Sequence, residues 1–261
     1  MTTKIYTTQL GAGLGMIEET RVLLDLWQQG MDAAALTRAA LHSGQFPNMS
    51  ARRLRNFVVE CFMPRYLVNE GAPAMLLKTL DGALSNRESE QLMFIYTCRA
   101  NPILADFVRE IYWQAYAAGR ETLDNEEARA FVMRANQDGR TTVPWSESMV
   151  RRVSAYLTGC CADFGLLEKG RRTVRRILPF RIESRTAVIL AYELHFAGCG
   201  DNALMNHPDW ALFGLDAPDV LDELKRLTRK GYVIVQHAGG VTRIGWPYKS
   251  MRELSNAIAQ S

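Results

Sequence analysis

Apolar residues recur every three to four positions along most of this chain, the spacing of one buried helix face. Val22, Leu23, Leu26 and Trp27 predict a helix over 17–29, with Gly30 placed as a C-terminal cap. Asp32 is positioned to cap a second helix over 33–42, carrying Leu36, Ala40 and Leu41. Ser50 caps a third over 51–63, with Leu54, Phe57, Val58, Cys61 and Phe62 on its apolar face. Pro64 is expected to stop it. Residues 72–135 read as helix throughout. Ile103, Leu104, Phe107, Val108, Ile111, Tyr112 and Tyr116 follow Asn101-Pro102 at helical spacing, a core pattern rather than a cofactor box. The loop 137–144 is the clearest internal boundary.

The second half changes rhythm. Ser146 caps a helix running to about Phe164, and Gly165-Leu166-Leu167, a polar turn and a basic alternating run follow it. This reads as a helix followed by a β-hairpin wing. The same order returns near the end. A helix over 217–230 is closed by Gly231. Strands over 232–236 and 241–246 then flank the turn Ala238-Gly239-Gly240, and a last helix covers 249–259. The fold class expected is mainly α, a multi-helical globular protein with helix-turn-helix or winged-helix-like elements and short β-hairpins. Three regions are predicted: a helix-turn-helix-like unit over 1–70, a helical core over 71–143 and a basic winged-helix-like region over 144–261.

Charge sharpens this picture. The whole chain carries a formal +3, yet the stretch from Arg151 to Arg185 holds nine Lys/Arg against Asp163, Glu168 and Glu183, or about +6. The remainder is therefore slightly acidic. Such segregation points to an electrostatic site for a polyanion, and arginine's planar fork suits phosphate. The phosphate contacts expected are Arg151, Arg152, Lys169, Arg171, Arg172, Arg175 and Arg176, with Arg52, Arg53 and Arg55 at the start of the third helix as a second surface. Strand alternation sends Arg175 and Arg176 to opposite faces, so not all of these side chains reach one duplex and some pair with carboxylates.

Other chemistry is sparse. Gly11-Ala12-Gly13-Leu14-Gly15 lacks the preceding strand and the βαβ context of a nucleotide fingerprint, and reads as a flexible lead into a helix. The histidines, His42, His195, His207 and His237, are scattered without metal-ligand spacing. Five cysteines without CxxC spacing read as buried thiols of a reducing compartment. No signal-like segment and no long apolar run appears, and Ala187 to Tyr192 is far too short to span a bilayer. The expectation is a cytoplasmic, non-catalytic protein with no cofactor and no metal.

Gly15-Met16-Ile17-Glu18-Glu19-Thr20, leading into helix, Gly30, helix and the arginine-bearing third helix, resembles the BrxA family. The helical middle and the basic C-terminal half do so too. BrxA is a component of BREX bacteriophage-exclusion systems. The resemblance implies a mainly helical DNA-binding protein of phage defence, working beside a methyltransferase, an ATPase and a phosphatase-like component, and not itself an enzyme. The function expected is binding of double-stranded DNA with little sequence preference. The alternatives are a protein–protein adaptor within the defence complex and an RNA-binding helical protein.

Overall fold

The structure is a computed structural model that describes residues 5–170 and 172–260. It is mainly helical, with two small antiparallel strand pairs. Two compact units are present. One comprises residues 1–78 and 93–180, the other 79–92 and 181–261. This division differs from the three-region reading: residues 144–180 group with the N-terminal helices.

The first unit opens with a short 3-10 turn, Gln9–Ala12, and α1 (Ile17–Leu26). The Asp32 carboxylate accepts from Ala35 N at 2.7 Å and starts α2 (Ala33–Ser43). Ser50 caps α3 (Ala51–Asn56) through Arg53 N. Pro64 does not stop this helix. The chain winds as a π-helix over Phe57–Phe62 and continues as α4 (Met63–Tyr66). Met63 N bonds Val58 O, five residues back. That wider winding displaces the carbonyl that the proline ring would otherwise strike. Next come α5 (Ala72–Thr79) and α6 (Asn86–Ala100), and then α7 (Pro102–Phe107), which runs through a second π stretch into α8 (Trp113–Ala117). Asp124 and Glu127 form a reciprocal capping box that opens α9 (Asn125–Gln137). Ser146 caps α10 (Glu147–Asp163).

The glycine-rich stretch is packed rather than flexible. A Cβ at Gly11 would lie 2.4 Å from the Tyr156 ring, one at Gly13 2.4 Å from Cys61 Sγ, and one at Gly15 2.5 Å from Asp163 Cβ. The segment is therefore pressed between α10 and the π-wound helix, at a separation only glycine permits. The loop 137–144 is likewise tied in. Tyr6 N donates to Arg140 O at 2.6 Å, and Thr142 N to Tyr6 O at 3.2 Å. The buried Asp106 carboxylate accepts from the Tyr6 hydroxyl and from the Arg140 guanidinium, both at 2.8 Å, and from Arg109 at 3.2 Å.

The helical reading of 72–135 misses β1 (Thr122–Asp124). This strand pairs antiparallel with β2 (Val174–Arg176), Leu123 opposite Arg175. On its other flank the return segment bridges Leu167 to Ile177. The basic run is thus not a free wing, because its strand is shared between a local turn and a strand fifty residues away.

In the second unit, residues 79–92 are held by Gln91, whose amide donates to Arg181 O at 2.6 Å and accepts from Glu183 N at 2.8 Å. It also holds α11 (Ser184–Phe196), α12 (Asp201–Met205), α13 (Ala217–Arg229), the hairpin β3 (Ile234–Ala238) and β4 (Val241–Gly245), and α14 (Met251–Ala259). The buried Tyr192 hydroxyl donates to Tyr232 O at 2.8 Å and accepts from Tyr248 N at 3.3 Å, gripping both ends of the hairpin. Asp201 caps the edge at Ile244 N, 3.1 Å.

Two glycines in the first unit give opposite predictions. Gly13→Ala is expected to destabilise the protein by about 1–3 kcal/mol through overpacking. Gly159→Ala, inside α10 with its nearest neighbour 3.6 Å from the added Cβ, is expected to stabilise by about 0.5–1 kcal/mol. Urea unfolding midpoints check both. A further expectation concerns alkaline pH. Burial pushes Cys61 up to about 11 and Tyr66 and Tyr192 up to about 12. Groups with raised folded values give stability that is complete below their unfolded pKa and lost as pH rises. The thermal midpoint is therefore expected to fall progressively above about pH 9, where unfolded thiols and then phenols ionise first.

Candidate nucleic-acid interface

The first turns of α3 present Arg52, Arg53 and Arg55 to solvent while Leu54 turns into the core. Arg52 and Arg55, three apart, share a face. At the start of α10, Arg151 and Arg152 are exposed and Val150 and Val153 are buried. None of these five arginine side chains has a hydrogen-bond or ion-pair partner among the described residues. The two helices flank the same glycine segment: Gly13 meets Phe57 and Cys61, and Gly11 meets Tyr156.

The basic loop after α10 divides its charges. Lys169 is exposed at the turn. Arg171 lies outside the described residues. Arg172 is exposed and reaches Glu168 at 3.7 Å, a contact of little energetic weight at this exposure. Arg176 is exposed. Arg175 is the exception among the predicted contacts: it is half-buried, and its Nη1 donates to Glu168 O at 3.0 Å. Strand alternation separates it from Arg176, as expected, and makes it a brace for the turn. Asp163 lies beneath. Burial raises its carboxyl above the usual range, while the Gly15 amide at 3.0 Å and the charges of Lys169 and Arg175 act the other way. Arg181 and Arg185, the end of the same basic run, fall in the second unit, where Arg185 Nη1 donates to Ala83 O at 2.6 Å.

A second basic surface escapes a search for arginine density. The exposed side of α13 carries Lys225, Arg226, Arg229 and Lys230 toward its end, and the hairpin adds His237 and Arg243. Lys225 pairs with Asp222 at 3.1 Å and Arg226 with Glu223 at 3.0 Å. Its signal in the sequence is a basic amphipathic helix closed by Gly231, diluted by Asp219 and Asp222 in the first turns. Cys61, Cys98, Cys160 and Cys161 are buried free thiols, and burial raises Cys160 and Cys161 as well as Cys61. No helix among the described residues is long and apolar enough to cross a membrane.

The first unit is a mainly helical scaffold with exposed arginines on two helices that flank one glycine segment. The BrxA family profile matches residues 4–193, so the chain belongs to the BrxA family, a component of BREX phage-defence systems. The matched stretch contains all ten predicted contact residues. The crystal structure of an uncharacterized protein from Magnetospirillum magneticum has the same fold over 73% of this chain and 94% of its own, with a TM-score of 0.56 and 17% identity. No curated protein matches the chain.

Arg175 and Arg176 separate scaffold from surface. Arg175→Ala is expected to lower the thermal midpoint by roughly 2–4 °C, equivalent to about 1 kcal/mol in a protein of this size, whereas Arg176→Ala leaves it unchanged. Differential scanning calorimetry of the two variants measures the contrast.

Proposed function

We propose that this chain serves BREX defence by binding double-stranded DNA through its backbone, without catalysis and with little sequence preference. The observation that carries the reading is a set of six exposed arginines, Arg52, Arg53, Arg55, Arg151, Arg152 and Arg176, that no carboxylate of the described residues neutralises. Lys169 and Arg172 extend this surface, and Arg175 supports it from beneath. Unpaired guanidinium groups on rigid helices neutralise phosphates and release counterions, and such contacts position a duplex without reading its bases.

We read the order α11, α12, α13, hairpin in the second unit as winged-helix-like. In a reading helix the N-terminal residues meet the base edges, and here those positions are Asp219 and Asp222. The hairpin exposes Ile234 and Val241, at 54% and 65%. A second reading follows for this unit alone: the hairpin docks another component of the defence complex, and the first unit holds DNA.

Fluorescence anisotropy on random duplex DNA across a salt series tests the proposal. About six phosphate contacts give a slope of log K on log salt near −5, and each arginine replaced by Gln is expected to lower its magnitude by about 0.9. A flat salt dependence, or no binding below ~100 mM salt, would sink the reading. Ile234→Asp with Val241→Asp is expected to leave DNA affinity unchanged while abolishing capture of the methyltransferase, ATPase or phosphatase-like component.

A further inference from the structure

Arg65, in α4, is 2% exposed, and among the described residues none of its three guanidinium nitrogens closes a hydrogen bond of normal geometry, the adjacent Tyr66 hydroxyl approaching it only loosely. A guanidinium keeps its charge in proteins. An uncompensated charge in a protein interior is among the costliest arrangements in a fold. Its electrostatic neighbours are the Cys61 and Cys160 thiols and the Tyr66 phenol. The carboxylates nearby act on the thiols, Glu19 on Cys61 and Asp163 on Cys160, and neither forms an ion pair with Arg65. Cys61 lies one turn earlier on the same helix, and burial holds it up at about 11, so it remains a neutral thiol at physiological pH.

Three more polar groups converge here. The Tyr66 hydroxyl faces Thr20 of α1 and Thr97 of α6. All three residues are fully buried, and their hydroxyls approach one another without closing a hydrogen bond of normal geometry among the described residues. Every group in the cluster can donate, the hydroxyls can accept as well, and no carboxylate among the described residues balances the guanidinium charge. The π-wound stretch Phe57–Phe62 leads directly into α4, which carries Arg65, and such windings recur at functional sites.

From this uncompensated charge beside three buried hydroxyls we infer that the first unit encloses a small monovalent anion of chloride size, bound by Arg65 with Thr20, Tyr66 and Thr97. The ion satisfies the guanidinium and ties together the helices that supply the donors. Its burial excludes a nucleic-acid phosphate, so the site is independent of the DNA surface.

Thermal unfolding of the full chain in potassium chloride and in potassium gluconate, at matched ionic strength and without DNA, tests it. The midpoint is expected to rise with chloride by roughly 2–4 °C per tenfold increase near saturation, and to stay flat in gluconate. Arg65→Met abolishes the response and Thr97→Val weakens it. Crystals of the wild-type protein soaked in bromide are expected to show one anomalous peak beside the guanidinium, a readout that does not depend on either variant folding. Coincident chloride and gluconate curves with no bromide peak overturn the proposal. So does a chloride response of unchanged size in Arg65→Met.

Discussion

The first unit depends on how closely its chain can approach itself at three positions. Gly11, Gly13 and Gly15 sit against Tyr156, Cys61 and Asp163 at distances that leave no room for a Cβ. That contact sets the spacing between α10 and the π-wound continuation of α3. Both exposed arginine groups sit at the starts of those helices. A shift of about 1 Å in this seam would move each helix as a rigid body, since interiors packed at crystal density transmit displacement rather than absorb it. The charge that meets solvent is therefore positioned by residues with no charge and no side chain.

Much of the fold was legible because short-range rules govern it. Caps at Asp32, Ser50 and Ser146 are properties of four or five consecutive residues, and each helix begins where its cap stands. The C-terminal hairpin was legible for the same reason, its turn being local. What could not be read depends on partners distant in sequence. β1 exists only because Val174–Arg176 arrives beside it. Pro64 was expected to break a helix, and does not, because the preceding turn adopts a rarer winding. The glycines read as flexible because flexibility and close approach use the same residue, and only the opposing surface distinguishes them.

Of the interface, the arginines of α3 and α10 were legible from helix periodicity, and their exposure follows from Leu54, Val150 and Val153 facing inward. The roles within the loop were less so. Alternation showed that Arg175 and Arg176 part company, but that Arg175 is the one turned inward is set by Glu168 O and Asp163, which the fold brings near it. Arg65 is the opposite case. In the sequence it is one more cation near the end of a helix, where the dipole favours it. Only in the fold does it become an enclosed charge among thiols and hydroxyls.

The second unit is discontinuous, and this bears on how the protein is made. Residues 79–92 belong with 181–261, and Gln91 and Ala83 meet their partners only at Arg181, Glu183 and Arg185. A ribosome delivers the chain at about 5–20 residues per second, N-terminus first. The buried residues Leu80, Gln91 and Leu92 therefore emerge long before the rest of their unit, residues 181–261. For several seconds the nascent protein carries an uncovered apolar segment in the middle of an otherwise completed unit, a natural point for a chaperone to hold.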